Sequence, residues 1–208
     1  MENNAIPKAT LGRLPHYLRY LKGLSPGTSP YISATSIAKA LDLGDVQVRK
    51  DLNAVSGAGK PKIGYETEAL IRSLETVLGC DHMTAAVLVG AGKLGKALLD
   101  YDEFEEYGVR IAAAFDCNTQ TIRLNRTKEI LPMTQFDSFC KSNHVQIGII
   151  TVGQGSAQSV CDRMLKCGIT AIWNFAPCAL SVPAGVLLKQ EKLALSLAYL
   201  NNQLKKSF

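Results

Sequence analysis

Apolar positions with a helical period run through residues 5–24 of the chain. Leucines recur there at spacings of three and four, as on one face of an amphipathic helix: Leu11, Leu14, Leu18 and Leu21. Pro15 should kink this segment or begin a second helix, because proline lacks the N–H group that a helix interior uses. Residues 25–30 contain only Ser, Pro, Gly and Thr, and therefore predict a loop.

Two short helices joined by a turn are predicted next. Ser33 is placed to cap the first and Asp45 the second, with a break at residues 42–44 and an end near Val55. Their apolar faces are Ala34, Ile37, Ala38 and Leu41, then Val48, Leu52 and Val55. The second helix turns four polar side chains outward: Gln47, Arg49, Lys50 and Asn53. Such side chains contact bases and phosphates, so the pattern is typical of a DNA-binding helix-turn-helix.

A Gly-rich, basic segment follows this motif at residues 56–65 and includes Lys60 and Lys62. It is too polar for a core and predicts the hairpin wing of a winged-helix domain. A three-helix connector with a basic loop is the alternative. Thr67 is then placed to cap a helix with one apolar side, formed by Leu70, Ile71, Leu74, Val77 and Leu78. We place a domain boundary near residue 80.

The second part of the chain opens with an apolar strand at residues 85–89 that stops on a G-x-G-x-x-G loop: Gly90, Ala91, Gly92, Lys93, Leu94 and Gly95. In a dinucleotide site the first glycine allows the tight turn, the second admits the pyrophosphate, and the third lets the next helix pack closely. That helix is expected at residues 93–101, with Leu94, Leu98 and Tyr101 on one face. A second strand, 109–115, ends on Asp116, which is placed to accept hydrogen bonds from an adenosine ribose.

Strands and helices continue to alternate beyond Asp116. We expect strands at 145–152 and 170–175, a short edge strand at 130–133, and helices at 136–141 and 156–167. This alternation predicts an α/β fold with a doubly wound parallel sheet. The last segment, 190–204, has a leucine stripe that either covers its own sheet or packs on another subunit. Periodicity alone favours its own sheet.

Charge and cysteine content add to this picture. Residues 1–65 hold nine Lys and Arg against four Asp and Glu, whereas the remainder holds fourteen of each sign, so the net charge of +5 lies in the first third. A basic small domain suggests a polyanion partner such as DNA or RNA, although a solvated basic face would look the same. No run approaches the roughly 18 apolar residues of a membrane span, and no signal peptide is evident. The six cysteines form no C-x-x-C pair, so we expect reduced thiols in a cytoplasmic protein and no metal site.

Several segments together resemble one family, and the likeness covers nearly the whole chain. They are Ile6-Pro7-Lys8-Ala9-Thr10, Arg13-Leu14-Pro15, Tyr17-Leu18-Arg19-Tyr20-Leu21, Gln47-Val48-Arg49-Lys50-Asp51-Leu52, Gly64-Tyr65, Val89 to Gly95, Ala113-Ala114-Phe115-Asp116 and Asn174-Phe175-Ala176-Pro177. The chain thereby resembles the Rex family of redox-sensing transcriptional repressors. The Arg-Lys-Asp-Leu and Asn-Phe-Ala-Pro segments are more specific than the glycine loop.

The resemblance implies a homodimer that binds an inverted-repeat operator and is released by NADH, with NAD⁺ as the competing effector. The implied parts are a winged-helix domain with a linker helix (1–80), a Rossmann domain (81–189) and a C-terminal helix exchanged between subunits (190–208). The implied DNA contacts include Arg49 and Lys50. The implied cofactor contacts are the 90–95 loop, Asp116, Thr151, Val152, Asn174, Ala176 and Pro177. Tyr101 and Arg13 would take part in the switch between domains.

Three departures from the family pattern stand in this sequence. Ala54, Val55 and Ala58 replace aromatic positions around the wing, and Gly153 replaces a proline after Thr151-Val152. Lys192 stands where the exchanged helix usually has an acid that pairs with an arginine of the DNA-binding domain. These departures affect the operator sequence that is bound, the discrimination between oxidised and reduced cofactor, and the coupling of the switch.

Two other functions compete with a sensor. A small NAD-dependent oxidoreductase or a CoA-binding protein would share the glycine loop, but an oxidoreductase needs a proton donor beside the hydride carbon. His16, His82 and His144 do not follow sheet strands, and no Tyr-x-x-x-Lys pair follows the sheet. The third function is ligand-independent DNA binding, with the second domain serving only as a dimerisation scaffold.

Overall fold

The computed structural model describes residues 6–24, 30–118 and 129–206. The chain folds into two compact units, one of Met1–His82 with Glu106–Gly108 and the other of Met83–Glu105 with Val109–Phe208. Apart from Pro30, the loop expected at 25–30 lies outside the described residues. No helix in the described part of the chain is long and apolar enough to cross a membrane.

The N-terminal unit consists of helices and a two-stranded antiparallel sheet. Its elements are α1 (Lys8–Leu11), α2 (Leu14–Lys22), β1 (Tyr31–Ile32), α3 (Ala34–Ala40), α4 (Asp45–Ser56), β2 (Tyr65–Glu66) and α5 (Thr67–Leu78). The first helical segment is divided as expected, and Pro15 lies in the first turn of α2, where no helix hydrogen bond is lost. The core of the N-terminal unit contains Leu14, Leu18, Leu21, Ile37, Val48, Leu52, Leu70 and Leu74. Leu11, also predicted to be on the apolar face, is exposed because α1 ends there.

Ser33 caps α3 as expected, since its Oγ accepts a hydrogen bond from a backbone N–H in the first turn at 3.0 Å. The predicted caps Asp45 and Thr67 were wrong. Both are the first residues of their helices, and Gly44 and Glu66 occupy the cap positions without a side-chain hydrogen bond. Asp45 instead lies 3.3 Å from Arg49, one turn along α4.

The basic segment after α4 forms a tight hairpin, which we call the wing (residues 57–64). Lys60 and Gly64 exchange two backbone hydrogen bonds of 2.8 and 2.9 Å. Directly after the wing, β2 pairs with β1, and the Lys60 ammonium lies 5.9 Å from the ring centre of Tyr31 on β1. The N-terminal unit is thus a winged helix, as predicted.

The C-terminal unit is a parallel sheet with helices on both faces. Its elements are β3 (Thr84–Val89), α6 (Lys93–Leu99), α7 (Glu103–Glu106), β4 (Val109–Asp116), β5 (Ile130–Pro132), α8 (Phe136–Ser142), β6 (Ile147–Ile150), α9 (Gln154–Lys166), β7 (Ala171–Asn174), β8 (Leu187–Gln190) and α10 (Leu193–Lys206). The strand order β5-β4-β3-β6-β7-β8 is that of a doubly wound dinucleotide-binding sheet. The order reverses at β3, where ligands bind in such sheets. The predicted fold class is confirmed.

Strand β3 is buried on both faces, which explains its uninterrupted apolar sequence. Val87 and Val89 belong to a core with Phe115 and Phe136 on one face of the sheet. Ala86 and Leu88 belong to a second core on the other face, together with Leu99, Ile111 and Ile149. The carboxyl end of β3 is therefore held firmly where the glycine loop begins.

Three expectations for this unit were wrong. Strand β8 was missed, and Gln190, predicted to begin the terminal helix, is the last residue of β8. Helix α6 ends at Leu99, and it buries Gly95 and Leu99, whereas the predicted face leaves Leu94 and Tyr101 38% and 45% exposed. Strands β6 and β7 are shorter than predicted, because only four residues of each join the ladder.

Candidate functional site

The glycine loop connects β3 to α6 and has one crowded and one open side. Gly90 has φ +104°, and a Cβ there would lie 2.8 Å from the backbone carbon of Thr151. A Cβ on Gly95 would overlap the carbonyl oxygen of Gly90. A Cβ on Gly92 would meet nothing within 4 Å. Two glycines are thus required by packing, and Gly92 lies on the open side that a ligand can approach.

Asp116, at the end of β4, lies beside this loop. Its Oδ2 accepts a hydrogen bond from the backbone N–H of Ala91 at 2.8 Å, and its Oδ1 accepts one from the N–H of Asn118 at 2.8 Å. The structure therefore brings Asp116 to the loop, as its spacing predicted. Lys93 begins α6 at the far end of the loop and is exposed.

The end of β6 closes the other side of the loop. The Thr151 hydroxyl donates to the carbonyl oxygen of Gly90 at 2.7 Å, with Val89 O at 3.1 Å, and both Thr151 and Val152 are half-buried. These contacts lie at the carboxyl edge of the sheet, where the glycine loop, Asp116 and Thr151 meet.

Asn174 ends β7 and is completely buried. Its Oδ1 accepts from the N–H of Ala176 at 3.0 Å, while its Nδ2 donates to Cys178 O at 3.1 Å and to Gln190 Oε1 at 3.0 Å. Gln190 Nε2 donates in turn to Ala176 O at 3.1 Å. The amide of Asn174 thus fixes the loop after β7, on which Ala176 is buried and Pro177 is exposed.

A groove of about 680 Å³ lies between α4 and the wing. Its lining includes four cationic side chains, Arg49, Lys50, Lys60 and Lys62, together with Asn53 and Thr35. All six are exposed, so the predicted DNA-contacting residues other than Gln47 converge on one groove. Gln47 is exposed on the same helix, one turn before Lys50.

A buried carboxylate anchors α4 from behind. Asp51 accepts hydrogen bonds from the Arg13 guanidinium at 2.7 and 2.9 Å, from Tyr17 OH at 2.8 Å, from Thr10 Oγ1 at 2.9 Å and from Gln47 Nε2 at 3.0 Å. Burial opposes its ionisation, but these donors outweigh burial and lower the pKa of Asp51 to about 2. Burial and the adjacent carboxylate raise the pKa of Tyr17 to about 12. The hydrogen bond to Asp51 raises the pKa of Arg13, so both members of the pair are ionised.

All six cysteines are free thiols. Burial raises the pKa of Cys140 to about 12 and raises the pKa of Cys161, so both thiols are neutral near pH 7. Among the described residues, no group of three His, Cys, Asp or Glu positions is arranged to hold a metal ion.

Comparison with known proteins decides the family. The family model "Putative DNA-binding protein N-terminus" matches residues 5–53, and the model "CoA binding domain" matches residues 81–178. The redox-sensing transcriptional repressor Rex of Clostridioides difficile is 38% identical over 204 residues, which cover 98% of this chain and 97% of that protein. The chain belongs to the Rex family. A Rex of Porphyromonas gingivalis is 37% identical over 96% of this chain and 92% of its own.

Solved structures of RSP, a Rex-family repressor, match over the same extent. The structure of RSP in complex with β-NAD⁺ and operator DNA has a TM-score of 0.87, with 33% identity, over 99% of this chain and 95% of that one. The complex of RSP with β-NADH has a TM-score of 0.80, with 32% identity, over 99% and 97%. The Rex relatives are named as transcriptional repressors, which favours that function over the dehydrogenase and CoA-binding alternatives.

The two residues expected in the Rex switch lie in different surroundings. Tyr101 is 45% exposed and donates to Glu103 Oε2 at 2.6 Å. Its ring meets Phe104 edge-on at 5.0 Å, and Phe104 meets Trp173 at 5.7 Å, so Tyr101 begins an aromatic row within the C-terminal unit. Arg13 is bound to Asp51 within the N-terminal unit.

The departures from the Rex pattern lie at exposed or half-buried positions. Gly153 is the N-cap of α9, and a Cβ there would meet nothing within 4 Å, so packing alone does not require glycine. Lys192 is exposed directly before α10. Ala54 and Ala58 are exposed and Val55 is half-buried, and Ala58 lines the groove beside α4.

Sequence reasoning missed the roles of Asp51 and Gln190. Asp51 was noticed only as part of a family segment, because three of its four partners lie 34 to 41 residues away, and the fourth, Gln47, was predicted only to face outward. Gln190 completes the bonds of a buried amide, but the short run before it resembled a loop. A polar residue at the end of the apolar run Val186-Leu187-Leu188 was the available signal.

Proposed function

We propose that this chain is a homodimeric repressor that binds an inverted-repeat operator and releases it when NADH binds. The observation that carries the proposal is the match to RSP bound to β-NAD⁺ and operator DNA, which extends over both units at a TM-score of 0.87. A cationic groove in one unit and a glycine loop in the other are the parts that such a sensor needs.

The C-terminal unit fits a dinucleotide. Gly92 leaves its side of the loop open, and Asp116 supplies a carboxylate at the end of the neighbouring strand. On this proposal the loop residues 90–95 hold the pyrophosphate and Asp116 accepts from the adenosine ribose. Thr151, Val152, Asn174, Ala176 and Pro177 then lie toward the nicotinamide. NADH and NAD⁺ act as effectors and are not turned over.

The N-terminal unit fits the major groove of double-stranded DNA. Helix α4 presents Gln47, Arg49, Lys50 and Asn53, and the wing presents Lys60 and Lys62 beside it. Arg49 must exchange its 3.3 Å contact with Asp45 for DNA, which costs little because that pair is exposed. Side chains of these types bind base edges and phosphates.

Helix α10 supports the homodimer. Every residue from Lys192 to Lys205 is exposed, including Leu193, Leu197, Leu200 and Leu204. A 14-residue helix with so much uncovered apolar surface is marginal in water without a partner. We propose that α10 crosses to a second copy, with a winged-helix domain at 1–80 and a Rossmann domain that runs from residue 81 to the end of β8. A cytoplasmic location is part of this proposal.

The test is operator binding with each nucleotide added separately. A duplex is first selected by the purified protein from a pool of randomised inverted repeats, and its affinity is then measured with NADH, NAD⁺ or neither. Release by NADH but not by NAD⁺ is expected. Energy transfer from Trp173, the only tryptophan, to NADH reports cofactor binding directly. NADH binding without any effect on DNA would support the ligand-independent alternative, and failure to select any duplex would overturn the proposal.

A further inference from the structure

The carboxylate of Asp51 is saturated with donors. Its Oδ1 accepts from Thr10, Arg13 and Gln47, and its Oδ2 accepts from Arg13 and Tyr17, at 2.7 to 3.0 Å. Only 2% of its side chain is exposed. An ionised carboxylate accepts hydrogen bonds and has none to donate. Any side chain that bonds to Asp51 must therefore turn a donor toward it.

This requirement fixes the amide of Gln47. A glutamine amide has a donor end and an acceptor end that are nearly equal in shape, and a free glutamine on a helix surface turns either end outward. Here Nε2 is directed to Asp51 at 3.0 Å, one turn along α4. Oε1 consequently faces away from the carboxylate, and Gln47 itself is exposed.

We propose that Asp51 fixes the side-chain amide of Gln47, so that in the operator complex Gln47 presents a hydrogen-bond acceptor to an exocyclic amino group in the major groove. The inference rests on the proposed function, in which α4 enters that groove. Adenine N6 and cytosine N4 are the amino groups exposed there, whereas guanine O6 and thymine O4 are acceptors. Facing Gln47 Oε1, guanine or thymine would place acceptor against acceptor.

The fixed orientation of the Gln47 amide is what lets this residue discriminate between bases. If the amide of Gln47 could turn over, it would satisfy a base acceptor as well as a base amino group, and the position would tolerate all four pairs. Because turning over would bring Oε1 against the Asp51 carboxylate, that rotation is unfavourable. Asp51 is thus a positioning residue, and Gln47 is the residue that touches the base.

The test begins with the duplex selected by the wild-type protein from randomised inverted repeats. Each adenine of the half-site is replaced in turn by a purine without the 6-amino group, and each cytosine by a pyrimidinone without the 4-amino group. Wild-type protein should lose about tenfold in affinity or more at one pair per half-site. Gln47→Met, which keeps the length but removes the amide, should show no extra loss at that pair. Whether the loss of affinity follows replacement of an adenine or of a cytosine then identifies the base that Gln47 contacts.

The positioning role of Asp51 is tested by variants that separate orientation from stability. Asp51→Asn offers Gln47 both a donor and an acceptor, so guanine or thymine at the same pair should become tolerated. Thr10→Val and Tyr17→Phe each remove one other hydrogen bond to Asp51. They should lower the melting temperature and leave the base preference unchanged.

A further measurement keeps the proposal testable if Asp51→Asn does not fold. In wild-type protein, the side-chain amide hydrogens of Gln47 should exchange with solvent more slowly than those of Asn53, an exposed amide on the same helix. Equal exchange rates, or an equal analogue penalty in wild type and Gln47→Met, would overturn the inference while leaving operator binding intact. Failure of the wild type to select any duplex would instead reject the proposed function.

Discussion

Asp116 accepts hydrogen bonds from two backbone amides, of Ala91 and Asn118, and on the proposed function it also accepts from a ribose. Asp116→Ala should therefore weaken NADH binding and narrow the preference for NADH over NADPH, because the carboxylate also repels a 2′-phosphate. Titration of both nucleotides by Trp173 energy transfer measures the effect. Asp162→Ala, which removes an exposed carboxylate from α9, is the control. Equal wild-type affinity for NADH and NADPH would contradict this role.

Asp51 should give the protein an acid-sensitive component of stability. Its folded-state pKa of about 2 lies below the ordinary value of 3.8, so its contribution is fully present above pH 4 and is lost as pH falls toward 2. A shift of this size corresponds to about 2 kcal/mol. Urea unfolding of wild type and Asp51→Asn from pH 5 to pH 2.5 measures it. The difference in free energy of unfolding between the two proteins should become smaller as pH falls, and a constant difference would refute the linkage.

At the scale of elements, different glycines of the glycine loop should be needed for folding and for ligand binding. Gly92→Ala places its Cβ in open space, so the variant should fold like the wild type but hinder a pyrophosphate and weaken NADH binding. Gly95→Ala directs its Cβ at the carbonyl of Gly90 and should lower the free energy of unfolding by about 1–3 kcal/mol. Thermal unfolding and NADH titration of both variants distinguish the two effects. Normal NADH binding by Gly92→Ala would show that the ligand does not approach this side.

Helix α4 should show two kinds of DNA contact. Arg49→Ala should cost about 1–3 kcal/mol of operator binding if the guanidinium contacts a base edge. Lys50→Ala should weaken binding to all sequences and reduce the salt dependence by about one unit, as expected for a phosphate contact. Salt titrations with operator and with unrelated DNA measure both. Lys39→Ala on α3, which does not line the groove, is the matched control. Wild-type binding by both variants would mean that α4 is not the recognition helix.

Long periodic elements and the loop motif could be predicted from sequence, because period and glycine spacing are local properties. Helices α2, α4 and α5 and strands β3 and β4 were predicted correctly in type. Strand β8 could not be predicted, since the four residues Leu187–Gln190 carry no period of their own and become a strand only by pairing with β7. The Asp51 cluster was also beyond local pattern, because it joins α1, α2 and α4.

At the scale of the whole molecule, the terminal helix can be tested without damaging the sheet. Gln190 belongs to β8 and bonds to Asn174, so a truncation at Lys189 would disturb the C-terminal unit itself. Ending the chain at Lys192 removes only α10. Sedimentation should then give a monomer, and operator binding should be lost, because one winged helix reaches only one half-site.

NADH binding by the shortened chain should persist in part, which separates loss of the dimer from loss of the fold. A milder variant, Leu197→Ser with Leu200→Ser, removes two exposed leucines of α10 and should shift the equilibrium toward monomer. A truncated protein that remains a stable dimer and still releases DNA with NADH would exclude the terminal helix as the dimer contact.

Strand β8 is at the edge of the sheet and follows the whole N-terminal unit along the chain, which also orders events during synthesis. The N-terminal unit is complete once Gly108 has left the ribosome, whereas the sheet must wait for Leu187–Gln190, and α10 follows β8. Domains generally fold in the order in which they are made. A nascent chain therefore acquires its DNA-binding surface before its nucleotide site is complete. On the proposed dimer, access to a full inverted repeat also requires α10, which is made after β8, so the strands of the nucleotide-binding sheet have all been made before a full repeat can be bound.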